Sequence, residues 1–326
     1  MKKLIGILLV FALAALAACG KGKKDDALVI AGIYKLGDNP WFIHEANSSK
    51  SVVEAAGGTF MSMDAKMETS LYMQLVDTCI AQKVDGVLVC IPDQNLSRVT
   101  VQKLTEANIP VIAVDDALQD ENGRLLAPWV GIDAYNIGKQ AGEWGANYIT
   151  GNNLAADPSF GIMFLTAEAV SSIVPRTQGQ LEMIQAALPQ FPAARMFRAD
   201  SDGTVEKSNT AAAAVITGNP QIKKWLIFGI NDEGAVGASR ALEAAGLAAG
   251  SVATGLGGYL APDEFAKPGS PFKAAAYFSA RDVGAISAKA LIDHIQNGTP
   301  IPERHAVGAR MIVPGDDLRS VMPEYF

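Results

Sequence analysis

Histidine and cysteine are scarce in this chain of 326 residues, with three of each. His44, His294 and His305 are too scattered for a metal-binding spacing, so neither a metal site nor a cofactor is expected. Beyond Cys19 the only thiols are Cys79, in a helical pattern, and Cys90, in a buried-strand pattern. A disulfide between them is conceivable in an exported protein, but two small buried thiols are the simpler reading. Catalytic signatures are missing too: there is no G-x-S-x-G elbow, no phosphate-binding loop, no H-E-x-x-H and no paired cysteine ligands. Gly255-Leu256-Gly257-Gly258 matches a dinucleotide fingerprint poorly. No enzyme is expected. Positive charge is in deficit, with 27 Lys and Arg against 34 Asp and Glu, a net charge of −7 that argues against a nucleic-acid partner. Beyond the N-terminus no run is long and apolar enough to cross a membrane.

What the chain does have begins at its first residues. Lys2 and Lys3 precede an apolar run, Leu4 to Leu16, too short to span about 30 Å of hydrocarbon. Charged, then apolar, then small is the pattern of a secretory signal. Leu16-Ala17-Ala18-Cys19-Gly20 resembles a bacterial lipoprotein signal, which implies cleavage before Cys19 and lipidation of its sulfur. Residues 1–19 are thus expected to be the signal with its lipid-bearing cysteine, and 20–26, polar and unpatterned, a tether. Losing Lys2 and Lys3 would take the charge to about −9. An exported protein is expected, held by lipid at the outer face of the cytoplasmic membrane or in the periplasm.

The remaining 300 or so residues are enough for two cores. Short continuous apolar runs start near residues 28, 86, 110, 161, 225 and 273. Such runs suit parallel strands buried on both faces. Helical patterns lie between them, at 71–81, 96–107, 135–148, 178–188, 233–245 and 280–295. The alternation predicts an α/β fold with parallel sheets. A faint echo between Val87–Gln94 and Leu226–Glu233 suggests two similar halves.

In open parallel sheets, ligands bind beyond the carboxyl ends of the strands. Those ends carry Lys35 to Phe42, Asp115-Asp116, Asn231-Asp232 and Gly257-Gly258-Tyr259. A sugar needs charged or amide partners for its hydroxyls and an aromatic plane for its C–H face. Trp41, Asp116 and Arg176 fit those needs, whereas Trp144 and Trp225 read as core. Arg176 stands at a helix start, where the helix dipole disfavours a cation. Asp115 and Asp116, as neighbours on one strand, are expected on opposite faces and so make a poor acid–base couple.

Four pieces recur together in one family. They are Lys35-x4-Pro40-Trp41-Phe42, Val111 to Asp116, Arg176-Thr177-x-Gly179 and Trp225-Leu226-Ile227-x-Gly229-x-Asn231-Asp232. The chain resembles the periplasmic sugar-binding proteins of bacterial ABC transporters, and most of all their arabinose-binding members. The resemblance implies two Rossmann-like lobes of the type I periplasmic binding protein, with a three-stranded hinge. The crossings would lie near Asp133, Ser279 and Gly308. One lobe would be 27–132 plus 279–307, the other 133–278 plus 308–326.

The resemblance also implies that Lys35, Trp41, Phe42, Asp116, Arg176 and Asn231 contact a monosaccharide, an arabinose-like pentose or a hexose. Asn39, Ile132, Ser172 and Gly257 stand at further contact positions, where the arabinose binders carry an acid, a methionine, a threonine and an asparagine. Leu260 replaces an aspartate of theirs. Such losses imply a shifted specificity. The implied partner is an ABC permease, with a chemoreceptor or sensor kinase as the alternative. The protein is expected to be a monomer that meets the membrane only through its lipid.

Overall fold

The computed structural model describes residues 27–168 and 173–326. The lipidation and tether expectations, and Ser172, lie outside those residues. Strand and helix alternate as the apolar runs require, in two six-stranded sheets.

The first sheet contains β1 (Val29–Tyr34), β2 (Thr59–Asp64), β3 (Gly86–Val89), β4 (Val111–Asp115), β5 (Trp129–Ile132) and β11 (Arg304–Val307). Its order is β2-β1-β3-β4-β5-β11, parallel throughout. The second contains β6 (Phe160–Thr166), β7 (Met196–Asp200), β8 (Lys224–Phe228), β9 (Val252–Gly257), β10 (Phe272–Phe278) and β12 (Ala309–Ile312). Its order, β7-β6-β8-β9-β10-β12, repeats the first. One strand departs from the parallel expectation: β12 runs antiparallel to β10. The central strands β3 and β6 are buried along their whole length, which is why they read as unbroken apolar runs.

The helices are α1 (Pro40–Ala55), α2 (Thr69–Gln82), α3 (Ser97–Glu106), α4 (Ala134–Gly151), α5 (Val174–Ala187), α6 (Val205–Gly218), α7 (Asp232–Ala244), α8 (Ala261–Ala266), α9 (Ala280–Asn297) and the single turn α10 (Leu318–Val321). Three helix pairs touch backbone to backbone through glycine: α6 and α7 at Gly237, where a Cβ would sit 2.5 Å from the Val205 carbonyl, and two pairs that carry site residues. A Cβ at Gly138 in α4 would sit 2.0 Å from the Arg176 carbonyl of α5. A Cβ at Gly284 in α9 would sit 2.2 Å from the Glu45 carbonyl of α1. Any side chain at either place would push apart the helices that carry Arg176 and Glu45.

Three chain segments pass between the sheets. β5 ends in the first, and Asp133 then caps α4, whose partner α5 belongs with the second. β10 ends in the second, and Ser279 caps α9, which packs on α1 beside the first. The third passage is a single residue, Gly308, between β11 and β12.

Three local expectations are corrected. The helix expected from 178 starts four residues earlier, at Val174, so Arg176 lies in its first turn beside Pro175. Trp225 is fully buried, but Trp144 is only half-buried, stacked on Tyr148 at 5.4 Å. α1 was not anticipated, because its middle reads as polar residues and serines. Cys79 and Cys90 are both buried and unbridged. Among the described residues no helix is long and apolar enough to cross a membrane.

Candidate functional site

The repeated order places a switch point between β1 and β3 in one sheet and between β6 and β8 in the other, where ligand crevices form. Lys35 leaves β1 at this point. Its ammonium donates to the Asp116 carboxylate and lies 3.9 Å from Asp115 Oδ2. Both carboxylates therefore reach one cation, which overturns the opposite-faces expectation. The reason is local: Asp115 has φ +60°, a left-handed turn that breaks the alternation of the strand. The Phe42 ring lies beneath the same ammonium, with Nζ 5.6 Å from its centroid.

Cys90 Sγ is 3.8 Å from Asp116 Oδ2 and 4.0 Å from Asp115 Oδ2. The three groups are close enough to hold a metal ion, but the Lys35 ammonium already supplies their positive charge. Burial opposes the charge on Lys35, yet Asp116, Cys90 and Asp115 together hold its pKa above the usual lysine value. Burial, and then Asp116, push Asp115 up to about 6, with Lys35 and Arg176 opposing.

α1 supplies the rest of this wall. Asn39 caps it, its Oδ1 accepting from Trp41 N at 2.9 Å, and Pro40 fits the first turn. Trp41 is buried, edge-on to Phe278 with centroids 5.0 Å apart, at the end of β10. One turn on, Glu45 is fully buried with neither carboxylate oxygen hydrogen-bonded among the described residues. Burial, and then Asp115, raise its pKa well above the carboxylate range, against the Lys35 charge. Ile132 ends β5, buried, one residue past the Gly131 that pairs with Asp115.

The second lobe faces this cluster. Arg176 Nη1 donates to the Ile230 carbonyl at 2.7 Å, and its Nε is buried without a partner among the described residues. Its charge is felt at Asp115 in the other lobe and at Asp232 in its own. Asn231 caps α7: Oδ1 accepts from Gly234 N at 2.7 Å, and Nδ2 donates to the Gly203 carbonyl at 2.9 Å. Asp232 is fully buried, with Leu260 N donating to Oδ2 at 2.9 Å and Oδ1 left unpaired. Burial pushes it up to about 7, against hydrogen bonds from the Leu260 and Gly258 backbones.

Gly257 ends β9 at φ +132°, and a Cβ there would meet the Tyr259 ring at 2.5 Å. Tyr259 thus fills the space that a side chain at 257 would need. Its hydroxyl donates to Glu233 Oε2 at 2.7 Å. Glu233 Oε1 in turn accepts from Asn39 Nδ2 of the first lobe at 3.4 Å, a hydrogen bond across the cleft.

Residues 30–299 match the periplasmic binding protein domain family. This chain belongs to that family. It is a binding protein and not an enzyme. Among its relatives is an ABC transporter L-arabinose-binding periplasmic protein of Azospirillum brasilense, 25% identical over 94% of this chain and 92% of that one. Two solved structures share the fold. A Caulobacter myo-inositol binding protein superposes with a TM-score of 0.76 at 18% identity, over 93% of this chain and 98% of that one. A periplasmic solute binding protein of Actinobacillus succinogenes with bound D-allose gives 0.72 at 21%, over 88% and 98%.

Within the family frame, Glu45 and Glu233 escaped the sequence reading as cleft residues, while Asp115 and Tyr259 were named at strand ends but not as ligand contacts. Asp115 was set aside by the alternation argument. Glu45 had a signal, since Trp41-x3-Glu45 is one helical turn, but the helix itself went unseen.

Proposed function

We propose that this protein is an extracytoplasmic solute-binding lipoprotein that captures a neutral monosaccharide between its two lobes and delivers it to an ABC permease. The observation that carries the sugar reading is the density of unmet hydrogen-bonding capacity at the cleft. Arg176 Nε, Asp115 Oδ1 and both Glu45 oxygens are buried without partners among the described residues. Such groups each cost about 1–3 kcal/mol unless something answers them. A polyhydroxylated ring answers donors and acceptors at once, because every hydroxyl is both. The balance of three carboxylates around Lys35, with Arg176 opposite, favours a neutral ligand over an anion. The ligands named for the relatives, L-arabinose, D-allose and myo-inositol, are all neutral and polyhydroxylated.

In this reading Lys35, Asn39, Trp41, Phe42, Asp116 and Ile132 offer one wall. Arg176, Asn231 and Gly257 offer the other. The passages at Asp133, Ser279 and Gly308 act as the hinge, and a ligand touching both walls favours the closed form because only that form lets it touch both. The test is a thermal-shift panel of pentoses, hexoses and cyclitols. At 100 times its Kd a true ligand adds about 2.7 kcal/mol of stability. A rise of several degrees is expected for at least one member, and silence across the panel would remove the sugar reading.

Lipid anchoring rests on Lys2 to Cys19. Cys19→Ala is expected to move the protein from the membrane to the soluble fraction; a variant that still sediments with membranes would contradict the anchor.

A further inference from the structure

A cavity of about 780 Å³ opens beside the Lys35–Asp116 pair. Those two residues line it, but Trp41, Phe42, Arg176 and Asn231 do not, and no residue of the second lobe does. It runs away from the hinge, across the carboxyl ends of β1 to β4. A single ring held at Lys35 and Asp116 by the opposite lobe would occupy only one edge of this space. The volume lies in the upper part of the roughly 300–1,000 Å³ range that encloses ligands larger than one ring.

We propose that the cavity is a second subsite, so that the ring captured between the lobes is bound more tightly when it carries a second neutral ring or aglycone that lies there. This inference rests on the sugar reading and extends it.

Three features give the subsite its chemistry. The first is a set of polar side chains facing the space without a hydrogen bond among the described residues: the amides of Asn95 and Gln119, and the Thr69 hydroxyl. They can donate to and accept from hydroxyls. The second is an aliphatic floor, Ile91 and Pro92, with Met67 half-exposed at the rim to cover a ring face. The third is charge: Lys35 and Arg98 stand against Asp93, Asp116, Asp120 and Glu121, which repels an acidic sugar or a phosphate.

The wall is also built with strain. Lys66 and Met67 are consecutive non-glycine residues at φ +52° and +58°, in the turn between β2 and Glu68, the N-cap of α2. Such backbone persists where its surroundings over-determine it, and it gathers at ligand clamps. Here Met67 N donates to the Lys35 carbonyl at 2.6 Å, and Asp64 Oδ1 accepts from Gly37 N at 2.7 Å and Lys66 N at 2.8 Å. The loop after β2 is thereby fixed to the loop that presents Lys35, so subsite and first ring share one frame.

Titration calorimetry would compare each monosaccharide that stabilises the protein with its neutral disaccharides and methyl and phenyl glycosides. At least one of these is expected to bind tenfold or more tighter than the free ring. Gln119→Trp, which fills the space, is expected to abolish that advantage while changing monosaccharide affinity less than threefold. The paired Asn95→Ala and Gln119→Ala variants should shrink it without adding bulk. Free rings that outbind every glycoside would overturn the subsite and leave the sugar reading intact. An advantage that survives Gln119→Trp in a folded protein would overturn it too. Silence from rings and glycosides alike would remove both.

Discussion

Replacing Arg176 with alanine is expected to lower ligand affinity about 100-fold or more. The guanidinium is anchored at one end, where Nη1 donates to the Ile230 carbonyl, and unanswered at Nε, which is buried. A hydrogen bond to a charged group contributes about 1.5–3 kcal/mol, so two lost to a ligand amount to about 3 kcal/mol or more. Each 1.4 kcal/mol is a tenfold change. Arg176 also stands in the first turn of α5, where the helix dipole works against it, so the position is held for a reason other than helix stability. Arg176→Lys keeps the charge but not the fork and should fall between the two. Calorimetry on both variants decides the matter, with urea midpoints to show that they fold. Affinity within twofold of the parent in both would take Arg176 out of the site.

The second large effect is on stability against pH. Asp232 has an ordinary carboxyl pKa near 3.8 when exposed and about 7 when folded. Between those values the native state holds a proton that the unfolded state has released. Unfolding then sheds protons, so stability falls as pH rises from about 4 to 7 and levels off above. Three pKa units correspond to about 4 kcal/mol over that window. Asp115, at about 6, and Glu45, raised in the same direction, add to the slope with the same sign. The unliganded protein should therefore show a lower urea midpoint at pH 8 than at pH 5. Asp232→Asn keeps an acceptor for Leu260 N and cannot titrate, so its curve should be flatter. An unchanged slope in that variant would clear Asp232 of the effect.

Much of this site was legible because strand ends are legible. Lys35, Asp116 and Arg176 each follow or precede a strong apolar or helical pattern, and the structure brings Lys35 and Asp116 into contact. What could not be read depended on single torsions and on weak patterns. Asp115 joins Asp116 at one ammonium only because its φ is positive, which no side-chain pattern announces. β2 and β7 are edge strands, half-exposed along their length, so they lack the continuous burial that marked β3 and β6. Tyr259 was legible as a strand-end aromatic, but its pairing with Glu233 was visible only through space: the absent side chain at Gly257 is the room that Tyr259 occupies, and the hydroxyl then finds Glu233. The Asn39–Glu233 contact joins residues of different lobes, which periodicity cannot relate.

The one-residue passage at Gly308 bears on how the molecule is made. β11 and β12 leave the ribosome within a few residues of each other, yet each completes a different sheet. β5 waits for β11 through the synthesis of the entire second lobe, and β10 waits for β12. Until both arrive, two sheets present raw edges, and contacts between distant parts of a chain form slowly. A polypeptide wired in this way stays unfinished until its last strands are available. That delay would keep the chain open long enough for the export that its signal-like first residues imply.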